Sequence, residues 1–134
     1  MSIQEENIEV VQQLYNAFAK KDIGKMLQLL HPDVVWSEPS NPYNPCSGTR
    51  YGHPGFMEWL SMGRQAEEFL DLQTKKFLCD SDSVAVYGFV KCKALTTNKI
   101  YESDFVHLIT LADNKIIKFQ EFFDTYAAGE AFRQ

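Results

Sequence analysis

SDFVHLITLADNKIIKFQEFFDT, residues Ser103 to Thr125, decides the reading of this chain, because apolar residues alternate with others on both sides of Asp113-Asn114. Period-two alternation marks two β-strands, and asparagine tolerates the positive φ of a tight two-residue hairpin turn. The turn sets the register. With Ala112 opposite Lys115, His107 is expected opposite Gln120, Phe105 opposite Phe122 and Ser103 opposite Asp124. His107 and Asp124 then share one face of the sheet with Phe105, Ile109, Leu111, Ile116 and Phe122. Two titratable groups in apolar surroundings have perturbed proton affinities and make a candidate active site.

Each candidate has a plainer alternative. An unpaired buried carboxylate is costly, so packing alone explains Asp124 poorly; its alternative is a cap on the final turn, bonded to backbone amides or to Ser103. His107 by itself is compatible with a satisfied core histidine, but a carboxylate within reach would orient the imidazole as an acid/base group. Glu38 follows Trp36 on the same strand parity and is expected at the pocket mouth, its alternative being a solvated strand end before Pro39. Trp36, Trp59, Phe105 and Phe122 are candidate lining residues, with core packing as the competing role.

The rest of the chain arranges itself around the hairpin. Ser2-Ile3-Gln4-Glu5 has a capping-box pattern, and Ile8, Val11, Leu14, Tyr15 and Phe18 follow at helical spacing, giving a helix over about 3–20. Asp22 caps a short second helix that His31-Pro32 ends, and Val34 to Glu38 reads as a strand. Prolines 39, 42 and 45 and glycines 48 and 52 make the segment from Pro39 to Gly52 an irregular loop, and Tyr43 and Tyr51 suit a closing lid. Pro54 opens a third helix. Strands are expected at about 72–78, 84–95, 100–111 and 116–125. Their short connections make an antiparallel meander, so helices come first and sheet afterwards, an α+β arrangement.

The loop at 96–99 places Gly88 beside His107, where glycine either leaves open volume or marks a strand bend. The opposite sheet face is expected to carry Val106, Leu108, Ile117, Phe119 and Phe123, with Tyr87 and Phe89. A sheet apolar on both sides needs two covers, which points to a homodimer through that face. The alternative cover is the third helix or the tail from Tyr126 to Gln134.

Composition narrows the function classes. The chain has 134 residues, 45% of them hydrophobic, and suits one domain, 1–134, with an ordinary core. A formal net charge of -5 without a basic cluster disfavours nucleic acid and anionic membrane as partners. With no long apolar run and no basic-apolar leader, a cytoplasmic location is expected. Cys46, Cys79 and Cys92 lack C-x-x-C spacing and are expected as free thiols. No metal is expected, since the three histidines are scattered and His53 suits a helix N-terminus; no cofactor is expected either. Neither a glycine-rich phosphate loop nor G-x-S-x-G is present.

YNAFAKKD, HPDVVWSE, YGHPGFMEW and FVHLITLADNKIIKFQEFFDT together resemble the SnoaL-like polyketide cyclase group of the nuclear transport factor two-like superfamily. The resemblance covers nearly the whole chain. Its most specific part is the last hairpin, where a strand histidine, an acidic-glycine turn, an isoleucine and an aromatic-aspartate ending fall on His107, Asp113, Ile116 and Phe123-Asp124, with Asn114 in place of the usual glycine. It implies a curved antiparallel sheet wrapped around N-terminal helices, a cone with an apolar pocket at its open end, usually as a dimer. By the same resemblance Asp124 matches the acid/base aspartate of the cyclases and of limonene-epoxide hydrolase, and His107 matches a pocket histidine. Trp36 and Glu38 fall where the hydrolase holds its water, and Tyr15 falls near the oxyanion tyrosine of ketosteroid isomerase. The hydrolase's arginine-aspartate pair has no counterpart among Val84 to Leu95.

The expectation is therefore a cofactor-independent isomerase, cyclase or dehydratase for a small hydrophobic carbonyl compound, with Asp124, His107 and Glu38 as catalytic groups. The alternatives are a carrier of a hydrophobic metabolite and a dimeric assembly module.

Overall fold

The computed structural model describes residues 2–134. α1 (Ile3–Lys20) starts at Ser2, whose Oγ accepts from the Glu5 N–H at 3.1 Å, and ends at Lys21 in the left-handed conformation. Val11, Leu14 and Ala17 lie along its buried stripe. α2 (Ile23–Leu29) is capped by Asp22, whose carboxylate accepts from the Lys25 N–H at 3.1 Å. The chain then runs through β1 (Leu30–Glu38), β2 (Gly48–Tyr51), α3 (Gly52–Ala66) and four long strands: β3 (Glu67–Asp80), β4 (Ser83–Ala94), β5 (Ile100–Ala112) and β6 (Lys115–Phe123). α4 (Thr125–Phe132) follows.

The fold is α+β, as expected, but its sheet has six strands in the order β2-β1-β6-β5-β4-β3. The β3 to β6 meander is antiparallel, whereas β1 lies parallel to β6. Helices cover the concave side, and Val11, Met26, Leu30, Val34, Phe56 and Ile109 form part of the core there. α4 lies at one end of that side, where Phe132 meets Tyr101 with ring centroids 6.3 Å apart. It leaves the convex face open: Tyr87, Val106, Leu108 and Phe122 are exposed.

The hairpin turn is as expected, Asp113 and Asn114 taking φ of 51° and 61°, but the register beyond it is not. Ala112 opposes Lys115 and Leu111 opposes Ile116; then Thr110 opposes Lys118, so Ile117 is an extra residue in β6. This β-bulge shifts everything after it by one position, and a one-residue shift turns each side chain to the other face. His107 therefore opposes Glu121, and Phe105 opposes Phe123. Phe119 and Phe123, expected on the back face, pack against the concave core. Phe122, expected inside, is 49% exposed.

A second register differs by two residues, which preserves the faces: Gly88 opposes Phe105 and Val86 opposes His107. A Cβ on Gly88 would lie 2.2 Å from the Gln73 carbonyl oxygen and 2.3 Å from Phe105 Cζ. Glycine here admits the Phe105 ring across the strand, beside a bulge in β3 between Thr74 and Lys76. No open volume is left beside the imidazole on that side.

The segment before β2 is pinned. Asn41 accepts from the Tyr43 and Asn44 N–H groups and donates to the Thr125 carbonyl at 2.8 Å. Arg50 donates to the carbonyls of Cys46, Ser47 and Pro45. Tyr43 and Tyr51, the residues that suggested a lid, point outward and are exposed.

Candidate active site

Between the helices and the concave sheet lies a cavity of about 80 Å³, room for several waters or a small molecule. β1 contributes Trp36 and Glu38, α1 Tyr15, α3 Trp59, and β5 and β6 contribute His107 and Glu121. Asn44 and Cys46 come from the pinned loop, and Glu67 and Tyr101 stand among further aromatic and aliphatic walls.

Its polar centre is a hydrogen-bonded row. The Tyr15 hydroxyl lies 2.5 Å from His107 Nδ1, and His107 Nε2 lies 2.6 Å from Glu121 Oε2. Glu121 in turn bonds the side chain of Glu38. Burial pushes the Glu38 carboxyl well above the usual carboxylate range, and the charge of Glu121 pushes it further. Burial would raise Glu121 as well, but the charge of His107 and hydrogen bonds from Glu38 and His107 hold it below its ordinary value. Glu38 is thus the neutral acid of the pair and Glu121 the carboxylate, two like groups that divide one proton. Burial, then the charge of Glu121, raises the Tyr15 phenol, keeping its O–H. The row is satisfied with Nε2–H and Glu38 both donating to Glu121, while the donor between the Tyr15 hydroxyl and Nδ1 follows the protonation of the imidazole.

Packing holds the row in place. Phe105 stacks on the His107 ring at 4.1 Å, and Phe119 adjoins it at 4.6 Å. Phe119 also stacks on Trp36 at 3.8 Å and 4°, which fixes the indole against the cavity. The Trp36 Nε1–H and Glu38 Oε1 are both fully buried, and among the described residues neither has a protein hydrogen-bond partner. Buried polar atoms are rarely left so, and an indole N–H can only donate.

A second pair lies on another wall, where the Tyr101 hydroxyl donates to Glu67 Oε2 at 2.7 Å. Burial raises Glu67, the Tyr101 bond opposes that and the charge of Glu121 adds to it, the result being about 7. Burial also raises Cys46 to about 12, so that thiol stays protonated. No cluster of His, Cys, Asp and Glu among the described residues could hold a metal ion.

His107, Glu38, Tyr15, Trp36 and Trp59, singled out in the sequence, all line this cavity. Asp124 does not. Exposed at the end of β6, it caps α4 by accepting from the Ala127 N–H at 3.0 Å, while its own N–H donates to Ser103 Oγ at 2.8 Å. The bulge at Ile117 removes it from the face of His107 and puts Glu121 in its place. Phe105 is buried behind His107 and does not line the cavity, and Phe122 lies on the convex face. Sequence reasoning missed Glu121, Glu67 and Tyr101.

Residues 11–119 match the SnoaL-like domain. No curated protein matches the chain in sequence. Among solved structures, an NTF2-like protein from Burkholderia xenovorans is similar at 26% identity and a TM-score of 0.90, covering 97% of this chain and 98% of that one. TerC, co-crystallised with polyporic acid, is 29% identical with a TM-score of 0.83, covering 96% and 99%. A candidate isomerase from Bacillus subtilis shares the fold at 16% identity and a TM-score of 0.81, covering 98% and 96%.

Proposed function

The chain belongs to the SnoaL-like domain family, and we propose that its cavity carries out cofactor-independent acid/base chemistry on a small apolar molecule bearing a carbonyl group. The observation that carries this reading is the buried row from Tyr15 through His107 and Glu121 to Glu38. A carboxylic acid kept neutral beside a carboxylate is a proton source whose conjugate base is ready to take a proton back. In this reading the Glu38 proton passes to the Glu121 carboxylate as the free Glu38 Oε1 takes the substrate's α-proton, the reverse transfer returns both, and His107 and Tyr15 fix Glu121. The Trp36 N–H supplies a donor for the carbonyl oxygen, where negative charge grows as the α-carbon loses its proton. Isomerisation, cyclisation and dehydration all draw on that step. TerC's co-crystal with polyporic acid supports a relative of this fold holding a small organic molecule.

The partner proposed on the convex face is a second copy of the chain. Tyr87, Val106, Leu108 and Phe122 lie exposed there and α4 does not cover them, which supports a two-fold sheet interface. Three free cysteines favour the cytoplasm, and no helix of the described residues is long and apolar enough to cross a membrane.

The test is exchange of α-protons for deuterium in a panel of aryl ketones, followed by NMR in D₂O. Glu38→Gln should lower the exchange rate by about 10²- to 10⁴-fold. Ketone binding without any exchange would make the protein a carrier.

A further inference from the structure

Three glutamates line the one cavity, Glu38 held neutral and Glu67 and Glu121 able to carry charge, and no lysine or arginine among the described residues does. The guanidinium nearest in sequence to its loop wall, that of Arg50, is committed to three carbonyls and to Glu58 at 3.3 Å. The single basic group inside, His107, is spent on Glu121. A ligand carrying a carboxylate or phosphate would therefore enter against like charge with no free cation to receive it, a cost that grows as water leaves.

A positively charged nitrogen meets the opposite situation. Tyr101 occupies Oε2 of Glu67, and no donor among the described residues reaches Oε1. Aromatic rings line the same cavity as Glu67: Phe18 packs edge-on against Phe69 at 5.4 Å and lies 6.4 Å from Trp59. Carboxylates set among aromatic faces are the surroundings that favour an ammonium group, through charge and through the ring quadrupoles. The unpartnered Trp36 N–H, 3% exposed, separately calls for an acceptor on the same ligand.

We propose that the substrate carries a basic nitrogen as well as its carbonyl, the ammonium resting on Glu67 and the aromatic rim while the oxygen takes the Trp36 N–H. This rests on the cavity being the ligand site, but not on proton transfer occurring there. Glu67 releases its proton near 7, so an ammonium ligand should drive that release and bind more tightly as pH rises through that range.

The experiment is calorimetric titration of the intact protein with three probes on one skeleton: 1-naphthylmethylammonium, 1-naphthylmethanol and 1-naphthoate. The expected order at pH 7.5 is ammonium first, alcohol second, carboxylate last, the ammonium ahead of the carboxylate by about tenfold or more. Glu67→Gln keeps the shape and the Tyr101 bond, and should collapse the ammonium-to-alcohol ratio. Between pH 6 and 8 the wild-type affinity should rise for the ammonium alone. Naphthoate binding as tightly as the ammonium, an unchanged ratio in Glu67→Gln, or no binding of any probe overturns the proposal. The wild-type order does not depend on the variant folding. The expected order without deuterium exchange would leave the selectivity standing and remove the acid/base reading; exchange with a carboxylate preference would do the reverse.

Discussion

His107 Nε2 and Glu121 Oε2 lie 2.6 Å apart on directly opposed residues of β5 and β6, and Asp124 lies outside the cavity they share. The contrast assigns different consequences to two acidic residues three positions apart. Glu121→Gln removes the carboxylate that takes up the Glu38 proton and orients His107, so α-proton exchange should fall by about 10²- to 10⁴-fold. Asp124→Asn retains a good helix cap and should exchange at the wild-type rate. Asp124→Ala should lower stability by about 1 kcal/mol while leaving the rate alone. Rates compared with urea midpoints for the three variants decide it; a loss in Asp124→Asn as large as in Glu121→Gln would return the aspartate to the mechanism.

Much of the fold was legible because it follows from periodicity and capping: the Ser2 cap, the α1 stripe, the Asp113-Asn114 turn and the four-strand meander all come from neighbours in the chain. The pairing of β1 with β6 is a contact between distant segments and leaves no local pattern. The site was half legible. His107, Glu38, Trp36, Trp59 and Tyr15 lie on segments whose facing survives small register errors, whereas Asp124 and Phe122 lie beyond a bulge that inverts it. The bulge did leave a signal. Strict alternation from Ile116 would have turned Lys118 into the apolar core, and a lysine is almost never fully buried unpaired. One extra residue at Ile117 frees Lys118 and turns Phe119, Glu121 and Phe123 inward. Glu67 gave no comparable sign, since it opens β3, a strand expected only from about 72. Tyr101 lies in the strand expected at 100–111, on the parity of His107, and the alternation there does not by itself set it apart from a core aromatic.

Gly88 holds the site from behind. Its missing Cβ lets Phe105 cross the strand and stack on His107 at 4.1 Å. Gly88→Ala would press a methyl group to 2.2 Å from a backbone carbonyl, which cannot swing away as a flexible side chain does. The expected loss is about 1–3 kcal/mol, read from the urea midpoint, with a slower exchange rate because the imidazole loses its flat support. An alanine variant as stable as the wild type would mean that β3 yields there.

The proposed dimer makes a separate demand on the convex face. Phe122, 49% exposed, sits there among Tyr87, Val106 and Leu108. The wild type should sediment as twice 15.4 kDa at micromolar concentration, through an interface burying about 1,200 Å² or more in total. Phe122→Glu should give a folded monomer, because a charge at the centre of an apolar contact loses its water without gaining a partner. A wild-type monomer would end this reading.

Glu67 should also be visible in stability, even without a ligand. Its ordinary value is 4.5, and in the fold it keeps its proton to about 7. Between those values the unfolded chain has released a proton that the folded chain still holds, so this residue makes stability fall as pH rises through that window. Below 4.5 both states are protonated and the penalty vanishes; above 7 both are ionised and it is fully present. Glu38, raised also, adds to the same trend and Glu121 opposes it, so the wild-type curve alone would mix the three. Glu67→Gln isolates one of them, since the amide occupies the same space and can still accept from the Tyr101 hydroxyl. Relative to the wild type, its stability should gain ground from pH 4.5 to 7 by at most about 1.4 kcal/mol per pH unit, and stay level beyond. Urea melts of both proteins at five pH values across that range measure the difference, and parallel curves would show that Glu67 titrates as an ordinary surface carboxylate.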